Sequence, residues 1–155
     1  METQILVVNQ EMLCLFKAAL EQKKKVIIVS DMYHSQKTLE SILKQKGITG
    51  YTKLFVSSEY FVTKRSGELF DVVLKELGIY KSNMIHIGDN GVSDYRSPTG
   101  RGIEAIHYKS AFEQYKESHA EELKKYTDSG ESLEASAELG ESAIRWHTEM
   151  CAKSE

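Results

Sequence analysis

The sequence predicts an α/β protein, a Rossmann-like three-layer sandwich in which a parallel sheet lies between two layers of helices. Four short apolar runs have the length of strands, at residues 26–29, 54–56, 84–87 and 103–106. Helical patterns separate these runs, and strands that alternate with helices indicate βαβ units. The first run contains only valine and isoleucine, which is typical of a parallel strand that helices cover on both faces.

The helices between the strands are marked by residues that begin or end them. Asn9 is a good N-cap for a first helix, and Ser35 precedes the second. The third is expected at residues 67–77 and ends at Gly78, which can adopt the left-handed conformation of a helix end. Pro98 falls between the last two strands, where we expect a short helix or a turn.

Composition and charge indicate one compact domain with an appended element. The chain has 155 residues, 41% of them hydrophobic, and a net charge of -3, so one α/β core is expected at residues 1–109. From residue 111 the sequence becomes strongly charged, and a helical C-terminal extension is expected at residues 110–155. Lysine and arginine are scattered, which argues against a nucleic-acid partner. No apolar stretch is long enough to span a bilayer and no signal peptide is visible, so we expect a cytoplasmic protein without a membrane partner.

Polar side chains follow three of the predicted strands. Ser30 and Asp31 follow the first, Lys64 follows the second, and Asp89 and Asp94 follow the third. The carboxyl ends of parallel strands lie at one edge of a sheet, where ligands of open α/β sheets bind. Two carboxylates can hold Mg²⁺, while a hydroxyl and a lysine can bind the phosphoryl group of a phosphorylated small molecule. The sequence therefore predicts a weak magnesium site at Asp89 and Asp94 and a substrate site for the phosphoryl ligand at Ser30, Asp31 and Lys64.

Each of these residues also has a simpler explanation. Asp89 and Asp94 can be first-turn acids that the helix dipole favours, and Ser30 with Asp31 can simply begin a turn. Lys64 can be a solvated surface lysine. Their order on successive strands is what favours a shared site. His86 and His107 lie in or directly after predicted strands, where we expect them to make internal hydrogen bonds rather than to bind metal.

Three segments of the chain together resemble the haloacid dehalogenase superfamily of phosphatases and related hydrolases. Residues 26–30 are similar to its second motif, a strand that ends in Ser or Thr. Residues 64–70 are similar to its third, which implies that Lys64 steadies the phosphoryl group. Residues 85–94 are similar to its fourth, whose acids bind Mg²⁺. Residues 30–33 also resemble a subgroup found beside glycosyltransferases in bacterial surface-polysaccharide proteins. The resemblance covers roughly residues 9–108 and implies catalytic roles for Ser30 and Lys64.

The chain departs from this family at the first motif, a strand ending in Asp-x-Asp that supplies the nucleophile. The five aspartates include no pair two residues apart. Residues 5–11 could be a degenerate version with Asn9 in the nucleophile's place, but an amide is a poor nucleophile. We favour Asn9 as a helix cap and expect no activity from the chain alone. The cap domain that usually carries substrate specificity in this family is also missing.

Three hypotheses follow from this pattern. The chain is the carboxyl-terminal part of such a hydrolase, or a non-catalytic module that binds a phosphorylated ligand or a protein partner. As a third alternative, another polypeptide supplies the missing strand. A homodimer is also expected if a second copy covers the incomplete sheet. An unrelated doubly wound fold, such as a response-regulator-like module, is the outside alternative.

Overall fold

The computed structural model describes residues 8–121, and the chain divides into two compact units, Met1–His107 and Tyr108–Glu155. The first unit contains helices and short parallel strands, which confirms the α/β class. The expected three-layer sandwich stays a prediction. The apolar run at residues 5–8 lies largely outside the described residues, as does the extension beyond residue 121.

The four predicted strands are present; three of them begin and end one residue later than predicted, and the second begins one residue earlier. They are β1 (Ile27–Ser30), β2 (Lys53–Val56), β3 (Ile85–Gly88) and β4 (Glu104–His107). β1 pairs with β2 and β3 pairs with β4, both in parallel register. Among the described residues no backbone pairing joins the two pairs, so they form two separate two-stranded sheets.

Six α-helices lie within the described residues. They are α1 (Gln10–Glu21), α2 (Gln36–Gln45), α3 (Ser57–Tyr60), α4 (Glu68–Leu77), α5 (Ser97–Gly100) and α6 (Ala111–Ser118). A 3₁₀ turn at Lys81–Asn83 precedes β3, and a π-helical segment, Gly91–Arg96, follows it. No helix of residues 8–121 has the length and apolar character needed to cross a membrane.

The helix ends expected from the sequence are confirmed. The side chain of Asn9 accepts a hydrogen bond from the N–H of Met12, so Asn9 caps α1. Ser35 caps α2 in the same way, and Gly78 ends α4 in the left-handed conformation. Pro98 begins the short helix α5. The side chains of Asn9 and Ser35 satisfy backbone N–H groups at the helix starts, and the backbone N–H of Gly78 donates to carbonyl groups at the end of α4.

Helix α4 packs against both strand pairs. Its buried residues Leu69, Phe70 and Val73 form one apolar cluster with Phe55 of β2 and with residues at the starts of β3 and β4. Ile27 and Val29 of β1 pack against the same cluster. Hence α4, rather than a continuous sheet, connects the two strand pairs.

The burial of the strands is uneven in a way that the sequence does not predict. Every residue of β1 is only half-buried, whereas Leu54, Phe55 and Val56 of β2 are fully buried. The continuous apolar run of β1 predicts the opposite, because such runs are typical of strands inside a sheet. β1 is therefore less buried than its apolar run predicts, and its cover by helices on both faces stays a prediction.

The second unit is described only at its beginning. Helix α6 starts with a capping box, in which Ser110 and Glu113 each bind the other's backbone N–H. This helix lies in the segment where a helical extension was expected. The apolar positions expected further along that extension lie outside the described residues.

Candidate functional site at the strand ends

The end of β1 brings two polar side chains to the carboxyl edge of its sheet. Ser30 is the last residue of the strand and is half-buried. No residue of the described range 8–121 forms a hydrogen bond with its hydroxyl. Asp31 follows and is exposed, and its Oδ1 accepts a 2.8 Å hydrogen bond from the N–H of Lys64. A free hydroxyl and an anchored carboxylate therefore lie next to each other here.

Lys64 lies in the loop between α3 and α4, and that loop is held at several points. The Oγ of Ser97 donates to the carbonyl of Arg65, and the guanidinium of Arg101 donates to the carbonyl of Ser66. Gly67 ends the loop with a φ of +81°, and a Cβ there would lie 1.9 Å from Nε of Arg101. Only glycine fits a position with both constraints. The loop therefore has a fixed course, which sets the position of Lys64.

The side chain of Lys64 reaches the end of β3. Its ammonium group donates to Oδ1 of Asp94 at 2.5 Å. The backbone and side chain of this one residue thus connect Asp31, at the end of β1, with Asp94, after β3. This is the observed link between the carboxyl ends of the two separate sheets.

Asp94 is the most buried acid of the site, with 3% of its surface exposed. Its Oδ1 also accepts from Nε2 of His86 at 2.8 Å, and its Oδ2 accepts from the N–H of Asn90 at 3.1 Å. Burial by itself raises the pKa of the Asp94 carboxyl, but the hydrogen bonds from His86 and Lys64 and the lysine charge outweigh it. The pKa therefore lies well below its usual range, and the carboxylate is ionised at neutral pH.

Gly88 provides the space for this carboxylate. A Cβ on Gly88 would lie 2.5 Å from Cγ of Asp94, which is closer than side-chain atoms can approach. Asn90 then caps the π-helical segment, since its side chain accepts from the N–H groups of Val92 and Ser93. Together Gly88 and Asn90 determine where Asp94 lies.

Asp89 differs from Asp94 because it is exposed. Its backbone carbonyl accepts a 2.9 Å hydrogen bond from Nε2 of His107, at the end of β4. Within residues 8–121 no hydrogen bond or ion pair engages its carboxylate. Asp89 is thus the carboxylate that is free to bind a ligand from solvent.

The donors present fit Mg²⁺ only in part. The described residues include no group of three or more His, Cys, Asp and Glu residues that could hold a metal. The free carboxylate of Asp89 and the one unused lone pair on Oδ2 of Asp94 are hard oxygen donors, and Mg²⁺ often binds through one or two carboxylates and keeps several waters. With Asp31, the site carries three carboxylates against one lysine, which favours a cation.

The structure therefore brings Lys64 and Asp94 into direct contact, with Asp31 hydrogen-bonded to the lysine backbone. It gives no such contact for Ser30 or for the carboxylate of Asp89. Sequence reasoning missed Asn90 as part of the site. It expected internal hydrogen bonds for His86 and His107, and both are confirmed, but it did not identify Asp94 and Asp89 as the partners. A polar residue inside an apolar strand is the signal that points to such a buried bond.

Comparisons with known proteins bear on the fold alone. No protein-family model matches the chain, and no curated protein is similar to it. A solved structure of an uncharacterized protein from Corynebacterium glutamicum ATCC 13032 Kitasato is similar, with a TM-score of 0.51 and 16% sequence identity. The match covers 70% of this chain and 75% of that one. At this identity it shows a shared α/β fold and nothing further.

Proposed function

We propose that this chain is a hydrolase-like domain of the haloacid dehalogenase type that binds a phosphorylated small molecule with Mg²⁺ but does not hydrolyse it alone. The observation that carries the proposal is the double role of Lys64. Its N–H binds Asp31, the residue directly after the segment similar to the second motif, and its ammonium group binds Asp94 of the segment similar to the fourth. The finer fold proposal is a three-layer Rossmann-like sandwich.

The groups at this edge suit the recognition of a phosphoryl group. The hydroxyl of Ser30 can donate to a phosphoryl oxygen, and the ammonium group of Lys64 has three protons, of which Asp94 takes one. Bound Mg²⁺, held by Asp89 and Asp94, would neutralise charge on the phosphoryl oxygens. These interactions bind and orient a ligand by charge and hydrogen bonding.

Each of the three carboxylates at this edge already has a partner or a proposed role. Asp31 accepts the backbone N–H of Lys64, Asp94 is buried in its ion pair, and Asp89 belongs to the proposed metal site. The sequence contains no Asp-x-Asp pair. Positioning and charge stabilisation do not replace a nucleophile, so we expect binding without turnover.

A protein-interaction module is the second candidate, and one observation favours it. Three aromatic side chains, Tyr33, Phe61 and Tyr80, are between 77% and 93% exposed. Exposed aromatic residues are enriched at protein interfaces. In this alternative the residues at the strand ends serve the structure and bind no phosphate.

The test compares phosphate binding with hydrolysis. The wild-type protein, Asp89→Asn and Glu104→Gln are titrated with inorganic phosphate in the presence and absence of Mg²⁺, and each is assayed with an aryl phosphate. Glu104 is an exposed acid at the start of β4, at the opposite end of that strand from His107 and Asp89, and serves as the matched control.

We expect Mg²⁺-dependent phosphate binding by the wild-type protein and by Glu104→Gln, weaker binding by Asp89→Asn, and background hydrolysis by all three. Hydrolysis at ordinary enzymatic rates that is lost in Asp89→Asn would contradict the inactive assignment. No phosphate binding by any of them would favour the interaction module.

A further inference from the structure

His86 occupies a buried position behind the proposed phosphoryl site. Its ring lies edge-on against Phe70 of α4, with the ring centroids 4.9 Å apart, and its backbone pairs with β4 opposite Ala105. A carboxylate oxygen only accepts hydrogen bonds, so Nε2 of His86 is the donor to Oδ1 of Asp94. The proposed function does not use this residue.

The same oxygen, Oδ1 of Asp94, accepts from both Lys64 and His86. The side chain of Lys64 is 13% exposed, whereas those of His86 and Asp94 are 9% and 4% exposed. Lys64 is therefore the partner nearer to solvent, and it is the one that can turn to a ligand. His86 is held by its strand and by Phe70 and stays with the carboxylate.

We propose that His86 is a positioning residue that keeps Asp94 satisfied when the ammonium group of Lys64 turns toward a phosphoryl ligand. This inference rests on the proposed function. A buried carboxylate without a partner is costly. If His86 could not donate, Asp94 would retain only the N–H of Asn90 besides Lys64, and the ammonium group would be held at Oδ1. With His86 present, Asp94 keeps a hydrogen bond when Lys64 turns to phosphate. The free-energy cost of that movement is therefore smaller than it would be without His86.

Two substitutions at position 86 separate hydrogen bonding from packing. His86→Gln keeps a side-chain N–H donor at a similar reach, whereas His86→Phe keeps an aromatic ring against Phe70 and removes the donor. Both are compared with wild type in phosphate titrations with Mg²⁺, followed by ³¹P NMR. We expect His86→Phe to bind phosphate about tenfold more weakly, in the range of a lost charged hydrogen bond, and His86→Gln to remain within about threefold of wild type.

A second pair of variants tests whether His86 acts through Lys64. Lys64→Met weakens phosphate binding directly, and in that background His86→Phe is expected to cause no further loss. An equal loss in both backgrounds would overturn the positioning role and leave a purely structural one. Equal losses in His86→Phe and His86→Gln would overturn it as well.

Acylation of Lys64, followed by mass spectrometry without phosphate or metal, gives a readout that does not depend on the proposed function. We expect Lys64 to react more slowly in His86→Phe than in wild type or in His86→Gln, because its ammonium group is held more firmly by Asp94. Unchanged or faster reaction in His86→Phe would overturn the inference even if phosphate binds. Lys64 could also react more slowly in His86→Phe while the wild-type protein binds no phosphate. That result would support the coupling between His86 and Lys64 but would refute the phosphoryl ligand, and with it the positioning role toward that ligand.

Discussion

The carboxyl group of Asp94 lies directly against the backbone of Gly88, so close that a Cβ on Gly88 would be 2.5 Å from Cγ of Asp94. In this position the Oδ1 of Asp94 accepts hydrogen bonds from Lys64 and His86, and its Oδ2 accepts one from Asn90. The buried ion pair therefore requires a residue without a side chain at position 88. This requirement is separate from the turn that glycine allows after the strand.

Gly88→Ala is expected to destabilise the protein by about 1–3 kcal/mol or more, because overpacking forces Asp94 away from its partners. The free energy of unfolding is measured by urea denaturation. Gly100→Ala is the matched control, since a Cβ on Gly100 in α5 meets no atom within 4 Å. Equal effects of the two substitutions would show that the contact with Asp94 does not constrain the site.

Asp94→Asn is expected to cost about 3 kcal/mol of stability, because it removes one charge of a buried ion pair and leaves Lys64 without its anion. Asp71→Asn is the control, since Asp71 is more than half exposed where it pairs with Arg101. That substitution is expected to cost at most about 1 kcal/mol. The two free energies of unfolding are compared at neutral pH, and similar costs would contradict the importance of burial.

The pKa of Asp94 also predicts a pH dependence. Because the pKa of Asp94 is lowered in the folded protein, the stability that its ionised form provides is fully present above about pH 4, the usual pKa of an aspartate. It is lost as the pH falls below that value toward the folded pKa. The difference in urea midpoint between wild type and Asp94→Asn should therefore shrink between pH 5 and pH 3. A difference that stays constant over this range would contradict the prediction.

Titration with Mg²⁺ should shift the backbone resonances of residues 88–94, with an affinity in the millimolar range typical of weak sites with few charged ligands. Asp89→Asn should abolish these shifts, because it removes the charged metal ligand of the site. Within residues 8–121 no other residue binds the carboxylate of Asp89. Glu104→Gln should leave them unchanged. Shifts that persist in Asp89→Asn would place the metal elsewhere, and no shifts in wild type would refute the site.

Self-association is expected at high protein concentration, because no further strand within residues 8–121 pairs with the outer edges of the two strand pairs and β1 is only half-buried. Sedimentation velocity from low to near-millimolar concentration would detect a dimer. A single monomeric species over that whole range would show that the chain covers these edges by itself.

The sequence was sufficient to predict the order of the four strands and of the longer helices of the α/β unit. Asn9, Ser35 and Gly78 act locally on the helix ends beside them, so their roles can be read from neighbouring residues. The strands were recognisable because each is a short, mainly apolar run between helical patterns, and the first consists only of β-branched residues. Short helices such as α3 and the π-helical segment were missed, since four to six residues give too few turns for a helical pattern.

The contacts within the site depended on tertiary structure. Lys64 and Asp94 are 30 residues apart, and their ion pair requires both the loop before α4 and the turn after β3. The spacing of Asp89 and Asp94 did not reveal that one is exposed and the other buried. Nor did the composition of β1 reveal its half-buried state, because burial depends on which strands lie beside it.

The separation of the two strand pairs has a mechanical consequence for any ligand. Ser30 and Asp31 belong to one pair and Asp89 to the other, so the width of the site is set by packing on α4 and by the reach of Lys64, not by a ladder of backbone hydrogen bonds. Side-chain packing allows the two strand pairs to shift relative to each other more readily than a ladder of backbone hydrogen bonds would. A ligand that contacts both strand pairs would bind only when both are folded. Its binding would therefore stabilise the two pairs together.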